Sequence, residues 1–151
     1  METLHFSVTI NAPVQKVWDT MLSDSTYSEW TTVFNEGSYY VGKWEVGSPI
    51  KFLAKDENGV PSGMLSKIAE VRQNEFVDIE HLGMVINGVE DTTSDMVKSY
   101  SGAHENYTFI DLGDGSTRVD VNVDVVEDFK QDMVDGWPKA LEKLKEIAEK
   151  N

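Results

Sequence analysis

The sequence predicts an α+β fold in which a run of β-strands lies between an amphipathic helix near the N-terminus and a longer one at the C-terminus. Three observations carry this. In the run Ile10-Asn11-Ala12-Pro13-Val14-Gln15-Lys16-Val17-Trp18 a strand passes into a helix with almost no slack, and Pro13 suits a first helical turn, where its missing N–H has no partner to lose. Behind it Val14, Val17, Trp18, Met21 and Leu22 fall at the spacing of one buried helical face, with Trp18 assigned to the core. Near the other end Trp137, Leu141, Leu144 and Ala148 form a comparable stripe, and the chain between reads as strand.

Residues 3–10 alternate, with Leu4, Phe6, Val8 and Ile10 on one side and His5, Ser7 and Thr9 on the other, as a half-buried strand requires. After the first helix, Ser23 to Phe34 reads as a short second helical segment carrying Tyr27 and Trp30, and Gly37 admits a strand from Ser38 to Trp44. Gly47 and Pro49 break it before a strand from Ile50 to Lys55. Asn58-Gly59 is a hairpin signal, since both residues tolerate positive φ. Strands at 62–72 and 75–83 follow, divided by Gln73-Asn74. Residues 84–103 show no clean period and, with Gly83, Gly88 and Gly102 as pivots, are expected to form a loop or lid. A strand from His104 to Leu112 and the turn Gly113-Asp114-Gly115 lead to Thr117–Val125, the cleanest alternation in the chain, with Val119, Val121, Val123 and Val125 inward. Gly136 and Pro138 conflict with a continuous last helix. Phe129 and Met133 nevertheless extend the Trp137 stripe upstream, which predicts one long helix kinked at Pro138.

With 151 residues and 40% hydrophobic content, the chain is expected to form one domain over residues 1–151. Cysteine is absent, which removes disulfides, thiolate catalysis and cysteine-ligated metal. The net charge of −14, from 13 basic against 27 acidic residues, would repel a phosphate backbone, so nucleic acid is not an expected partner. The lysines near the C-terminus, Lys139, Lys143 and Lys145, interleave with Glu142, Glu146 and Glu149 as on a solvated helix face. No segment approaches the ~20 apolar residues of a membrane span, and the start Met1-Glu2-Thr3-Leu4-His5-Phe6 lacks signal-peptide character. A cytoplasmic location without membrane insertion is therefore expected.

Strand, two helical segments, an antiparallel run of six strands and a closing helix is the element order of the helix-grip fold. Five pieces agree with it: Ile10-Asn11-Ala12-Pro13 with Val17-Trp18; Trp44-Glu45-Val46-Gly47-Ser48-Pro49-Ile50-Lys51-Phe52; Glu105-Asn106-Tyr107; Gly115-Ser116-Thr117-Arg118-Val119; and Gly136-Trp137 with Leu141 and Leu144. On these the chain resembles the START-like or SRPBCC superfamily, which includes the birch pollen allergen and the polyketide cyclases. Within it the chain is similar to the branch named after the activator of the heat-shock-protein 90 ATPase. The resemblance implies a curved antiparallel sheet of about six to seven strands wrapped around the C-terminal helix, with two short helices after the first strand. It also implies a cavity between helix and sheet that in many members takes a lipid, sterol, polyketide or other apolar molecule. It implies no fixed catalytic set.

Strand parity sets Val77, Ile79 and His81 on one side of their strand and Glu105, Tyr107 and Phe109 on one side of theirs. If these are the concave faces, His81 and Glu105 are polar groups among apolar walls, able to serve as acid or base, or else simply hydrogen-bonded near strand ends. Trp30, Tyr39, Tyr40, Trp44 and Phe52 are candidates for the cavity wall, together with Met133 and Trp137 from the last helix; the same residues would serve equally as core. His5 and His104 read as surface residues. Asp111-Leu112-Gly113-Asp114-Gly115 fails the calcium-loop pattern at Gly113, the histidines lack metal spacing, and no nucleophile-elbow or phosphate-loop motif occurs. The expected function is binding of a small apolar or amphipathic molecule, lipid-like or polyketide-like, without metal or cofactor. The alternatives are a polyketide-cyclase or hydrolase type of enzyme using His81 or Glu105, and a co-chaperone-like protein-interaction domain.

Overall fold

In the computed structural model, which describes residues 1–150, the alternating N-terminal segment is strand β1 (Glu2–Ile10). Pro13 follows in extended conformation, φ −64° and ψ 153°, so it stands at the N-cap of α1 (Val14–Leu22) and not inside its first turn. Helix α2 (Asp24–Trp30) and a single 3₁₀ turn, Thr31–Val33, complete the helical segment. Strands β2 (Tyr39–Gly42), β3 (Pro49–Lys55), β4 (Pro61–Arg72), β5 (Phe76–Ile86) and β6 (Val89–Asp91) come next. The chain closes with α3 (Asp95–Tyr100), β7 (His104–Asp111), β8 (Thr117–Val125) and α4 (Glu127–Glu149).

Among the described residues the strands form one eight-stranded antiparallel sheet in the order β1-β8-β7-β5-β4-β3-β2, with β6 paired to β5 off this path. The α+β class and the order of elements are those expected from the sequence; β6 is the added strand. Inward residues of β1, β5, β7 and β8 share one core with Val17, Trp18 and Met21 of α1 and with Trp137, Ala140, Leu141, Leu144 and Ala148 of α4. The α4 face that packs here is the predicted stripe, because each of its residues removes apolar surface from water when α4 docks on β1, α1 and α2.

Several local expectations change. Residues 84–103 are not a loop: they hold the end of β5, the β6 hairpin arm and α3, whose Val97 and Tyr100 are buried. Three short elements of different period follow one another there, so no single period shows. At Asn58-Gly59 only Gly59 takes positive φ, at +77°, and the turn is held instead by the Asp56 carboxylate, which accepts from the N–H groups of Asn58 and Val60 at 2.8 and 2.9 Å. The single long last helix is as expected, with α4 running through Gly136 and Pro138. A Cβ on Gly136 would lie 2.5 Å from Cε1 of Phe34, so glycine at this point, which costs a helix about 1 kcal/mol, lets that ring lie against the helix.

Two register shifts in the β4–β5 pair, at Leu65/Ser66 and at Ile68/Glu70, bend this part of the sheet. The first leaves Leu82 as the extra residue between His81, paired with Ser66, and Gly83, paired with Leu65. Close by, β3 and β4 approach so tightly that a Cβ on Gly63 would lie 1.9 Å from the carbonyl oxygen of Phe52. Gly63→Ala must push the two strands apart, and we expect a loss of about 1–3 kcal/mol of stability. The check is the midpoint of urea unfolding, and a midpoint equal to that of the parent chain would contradict the close approach.

Candidate functional site

A pocket of about 470 Å³ lies between α4 and the sheet. Its walls are Tyr27 and Trp30 of α2, Phe52 of β3, Met64 of β4, Met84 of β5 and Tyr107 of β7, closed on the helix side by Phe129, Met133 and Trp137. Burial alternates along β5, but the bulge at Leu82 shifts the side chains on the pocket wall from His81 to Met84 and not to Gly83. One polar cluster of this wall involves β4, β5 and β7.

There Ser66 of β4 sits opposite His81 of β5 in register, with its Oγ 2.8 Å from Nδ1 of the imidazole. Glu105 of β7 is paired with Ile79, one inward position along β5 from His81, which brings its Oε1 to 3.7 Å from His81 Nε2. The other carboxylate oxygen, Oε2, accepts a short hydrogen bond from the Tyr107 hydroxyl. Burial pushes the Tyr107 phenol well above its ordinary value, and the neighbouring Glu105 charge adds to this. Burial raises Tyr27 far up as well, followed by the charge of Glu105 and then by Tyr40. Tyr27, Tyr107 and Glu105 thus form one electrostatically linked group beside an aromatic and methionine surface, with His81 Nε2 3.7 Å from the Glu105 carboxylate. Chemically it offers proton donors and an acceptor to one end of an otherwise apolar guest.

Of the residues singled out from the sequence, Trp30, Phe52, His81, Glu105, Tyr107, Met133 and Trp137 meet at this pocket. Five others lie elsewhere. Trp44 donates its indole N–H to the Leu22 carbonyl at 3.1 Å, where the Tyr40 hydroxyl also donates at 2.5 Å, so both rings satisfy the free C-terminal carbonyl of α1. Tyr39 lies under the Lys55 ammonium, 5.6 Å from its ring centroid. Ile79 is fully buried in the core, and Phe109 meets Trp18 edge to face at 5.0 Å. His5 is exposed and paired with Asn122, and the partly exposed His104 is 2.9 Å from Asp78 on the outer face of the sheet. The sequence reading missed Phe34, Met64, Met84 and Tyr100 at the pocket, and Ser66 behind His81. Ser66 shares strand parity with Ile68, and that signal could have found it; the bulge hid Met84.

The family described as "Activator of Hsp90 ATPase homolog 1-like protein" matches residues 11–149. The chain belongs to this family. Among solved structures, the Aha1 dimer from Colwellia psychrerythraea is 22% identical with a TM-score of 0.71, over 99% of this chain and 98% of that one. A protein from Cytophaga hutchinsonii is 20% identical with a TM-score of 0.70, over 97% of this chain and 93% of that one. DynU16, from the dynemicin biosynthetic locus, is 13% identical with a TM-score of 0.69, over 99% of this chain and 48% of that one. At these identities the likeness establishes the fold. None of the curated proteins matches the chain. No helix among the described residues is long and apolar enough to cross a membrane.

The raised phenols give this family member a distinct alkaline behaviour. In the unfolded chain Tyr27 and Tyr107 lose their protons near the ordinary value of 10.0, whereas the fold holds both above it. Their contribution to stability is therefore complete below about pH 10 and falls as pH rises further, because the unfolded state then binds fewer protons than the folded one. Tyrosinate absorbance of the folded protein should lag behind that of the same chain in denaturant, and Tyr107→Phe should remove part of the lag. Coincident titration curves would contradict the burial of these phenols.

Proposed function

We propose that this chain is a cytoplasmic, single-domain binding protein that holds a small apolar or amphipathic molecule, lipid-like or polyketide-like, between α4 and the sheet. The observation that carries this is the pocket itself: about 470 Å³, within the usual range for small-molecule sites, with aromatic and methionine walls and His81 and Glu105 in its lining. The net charge of −14 argues against an anionic guest. The structural likeness to a protein from a biosynthetic locus fits the handling of a small organic molecule. An enzymatic reading has one specific observation in its favour, the approach of His81 and Glu105 at the same wall, where a substrate proton would be within reach of an acid or base. Turnover of a bound ester or polyketide that Glu105→Gln abolishes would support that reading over simple binding.

Titration with the apolar dye N-phenyl-1-naphthylamine tests the first reading. Saturable fluorescence enhancement is expected, and the pocket-filling variant Met133→Trp should weaken it at least about tenfold, a change of about 1.4 kcal/mol. Absence of saturable binding, or an unchanged affinity in the filled variant whose circular dichroism matches the parent, would remove the pocket as the site.

A further inference from the structure

Ser66 fixes which nitrogen of His81 carries the proton. Ser66 is fully buried, and among the described residues its hydroxyl has one hydrogen-bond partner, His81 Nδ1 at 2.8 Å. A hydroxyl has a single proton to donate. Were Nδ1 itself protonated, that hydroxyl proton would be left in the interior without an acceptor, which is unfavourable. Ser66 therefore donates to Nδ1, and the imidazole proton sits on Nε2. The His81 side chain is 9% exposed, and Nε2 stands 3.7 Å from Glu105 Oε1, outside the 2.7–3.2 Å range of a hydrogen bond. Oε2 of the same carboxylate is already occupied by the Tyr107 hydroxyl. A donor and an acceptor thus face each other on the pocket wall, each without a hydrogen bond among the described residues and too far apart to satisfy one another.

We propose that the molecule bound in this pocket carries a neutral hydroxyl, an alcohol or a phenol, whose oxygen enters this gap, accepting from His81 Nε2–H and donating to Glu105 Oε1. This rests on the pocket being the binding site. A single oxygen placed about 2.8 Å from both atoms subtends an angle of about 80° between them, which one hydroxyl can serve as acceptor and donor at once. A carboxylate would accept from His81 but set a like charge against Glu105. An ammonium would donate to Glu105 but has no lone pair for Nε2–H. An ether accepts and cannot donate. The gap therefore selects a group that is both donor and acceptor on one atom.

The experiment is calorimetric titration of the full chain with 2-naphthalenemethanol, its methyl ether, 2-methylnaphthalene and 2-naphthoate, each against the parent and Glu105→Gln. In Glu105→Gln the amide oxygen can keep the Tyr107 hydrogen bond while its NH₂ group faces Nε2–H, so the ligand's proton loses its acceptor. The alcohol is expected to bind at least about fivefold more tightly than its ether to the parent, and less than about twofold more tightly to the variant. An alcohol preference that is absent in the parent, or unchanged in Glu105→Gln, overturns the hydroxyl assignment while binding of the hydrocarbon leaves the pocket reading standing. Tighter binding of 2-naphthoate than of the alcohol overturns it as well. If none of the probes binds, the pocket reading falls, and the assignment falls with it.

Discussion

Trp137 holds α4 against the rest of the molecule through rings that come from four different parts of the chain. Phe6 of β1 stacks on it at 6.4 Å, Trp30 of α2 lies at 5.9 Å, Tyr107 of β7 at 6.0 Å and Phe34 edge-on at 5.3 Å. The indole is 2% exposed, so its burial contributes on the order of the 1.5–3 kcal/mol of a large apolar side chain, with ring contacts adding to that. Its Nε1–H is buried without a hydrogen-bond acceptor among the described residues, which offsets part of the gain. The pocket lies beside this ring cluster and shares Trp30, Tyr107 and Trp137 with it. Residues that hold the helix thus also line the pocket.

A second constraint separates the aromatic residues that face the pocket from those that do not. Helix α1 ends at Leu22 with carbonyls that its own helix cannot satisfy, and three rings supply the donors: Trp30 to Met21 at 3.0 Å, and Tyr40 with Trp44 to Leu22. Tyr40 and Trp44 are held by this demand near the end of α1. Trp30 meets the same demand with its N–H while its ring reaches both Trp137 and the pocket. A ring's hydrogen-bonding edge decides where it is tethered, and its face decides what it lines.

The parts of the fold that were legible in sequence are those with one uninterrupted period. Thr117–Val125 is a strand with the bounds that its alternation predicted, and the Trp137-Leu141-Leu144-Ala148 stripe is the buried face of α4. The unreadable stretch, 84–103, packs a strand end, a three-residue strand and a six-residue helix together. At the pocket, parity correctly brought His81, Glu105 and Tyr107 to one wall because the β5–β7 register is regular there. It failed past Leu82, where a bulge with no local signature moved Met84 to the wall. Trp44 was misassigned for a different reason: its partner is the Leu22 carbonyl, 22 positions away, and composition records no such acceptor.

The arrangement of the polar end bears on whether this site holds or transforms its guest. Ser66, His81 and Glu105 stand on the neighbouring strands β4, β5 and β7, and each has one polar atom already committed, Ser66 to His81 and Glu105 to Tyr107. Such commitments orient the remaining atoms before any ligand arrives and lower the ordering cost of binding. Movement of a proton through the same group would ask Ser66, whose sole hydrogen-bond partner among the described residues is His81 Nδ1, to give up its acceptor whenever the imidazole gained a second proton. That conflict is small for a group that only donates and accepts hydrogen bonds. It grows for one that must cycle between protonation states, so the hydrogen-bond pattern around His81 favours recognition over acid–base turnover.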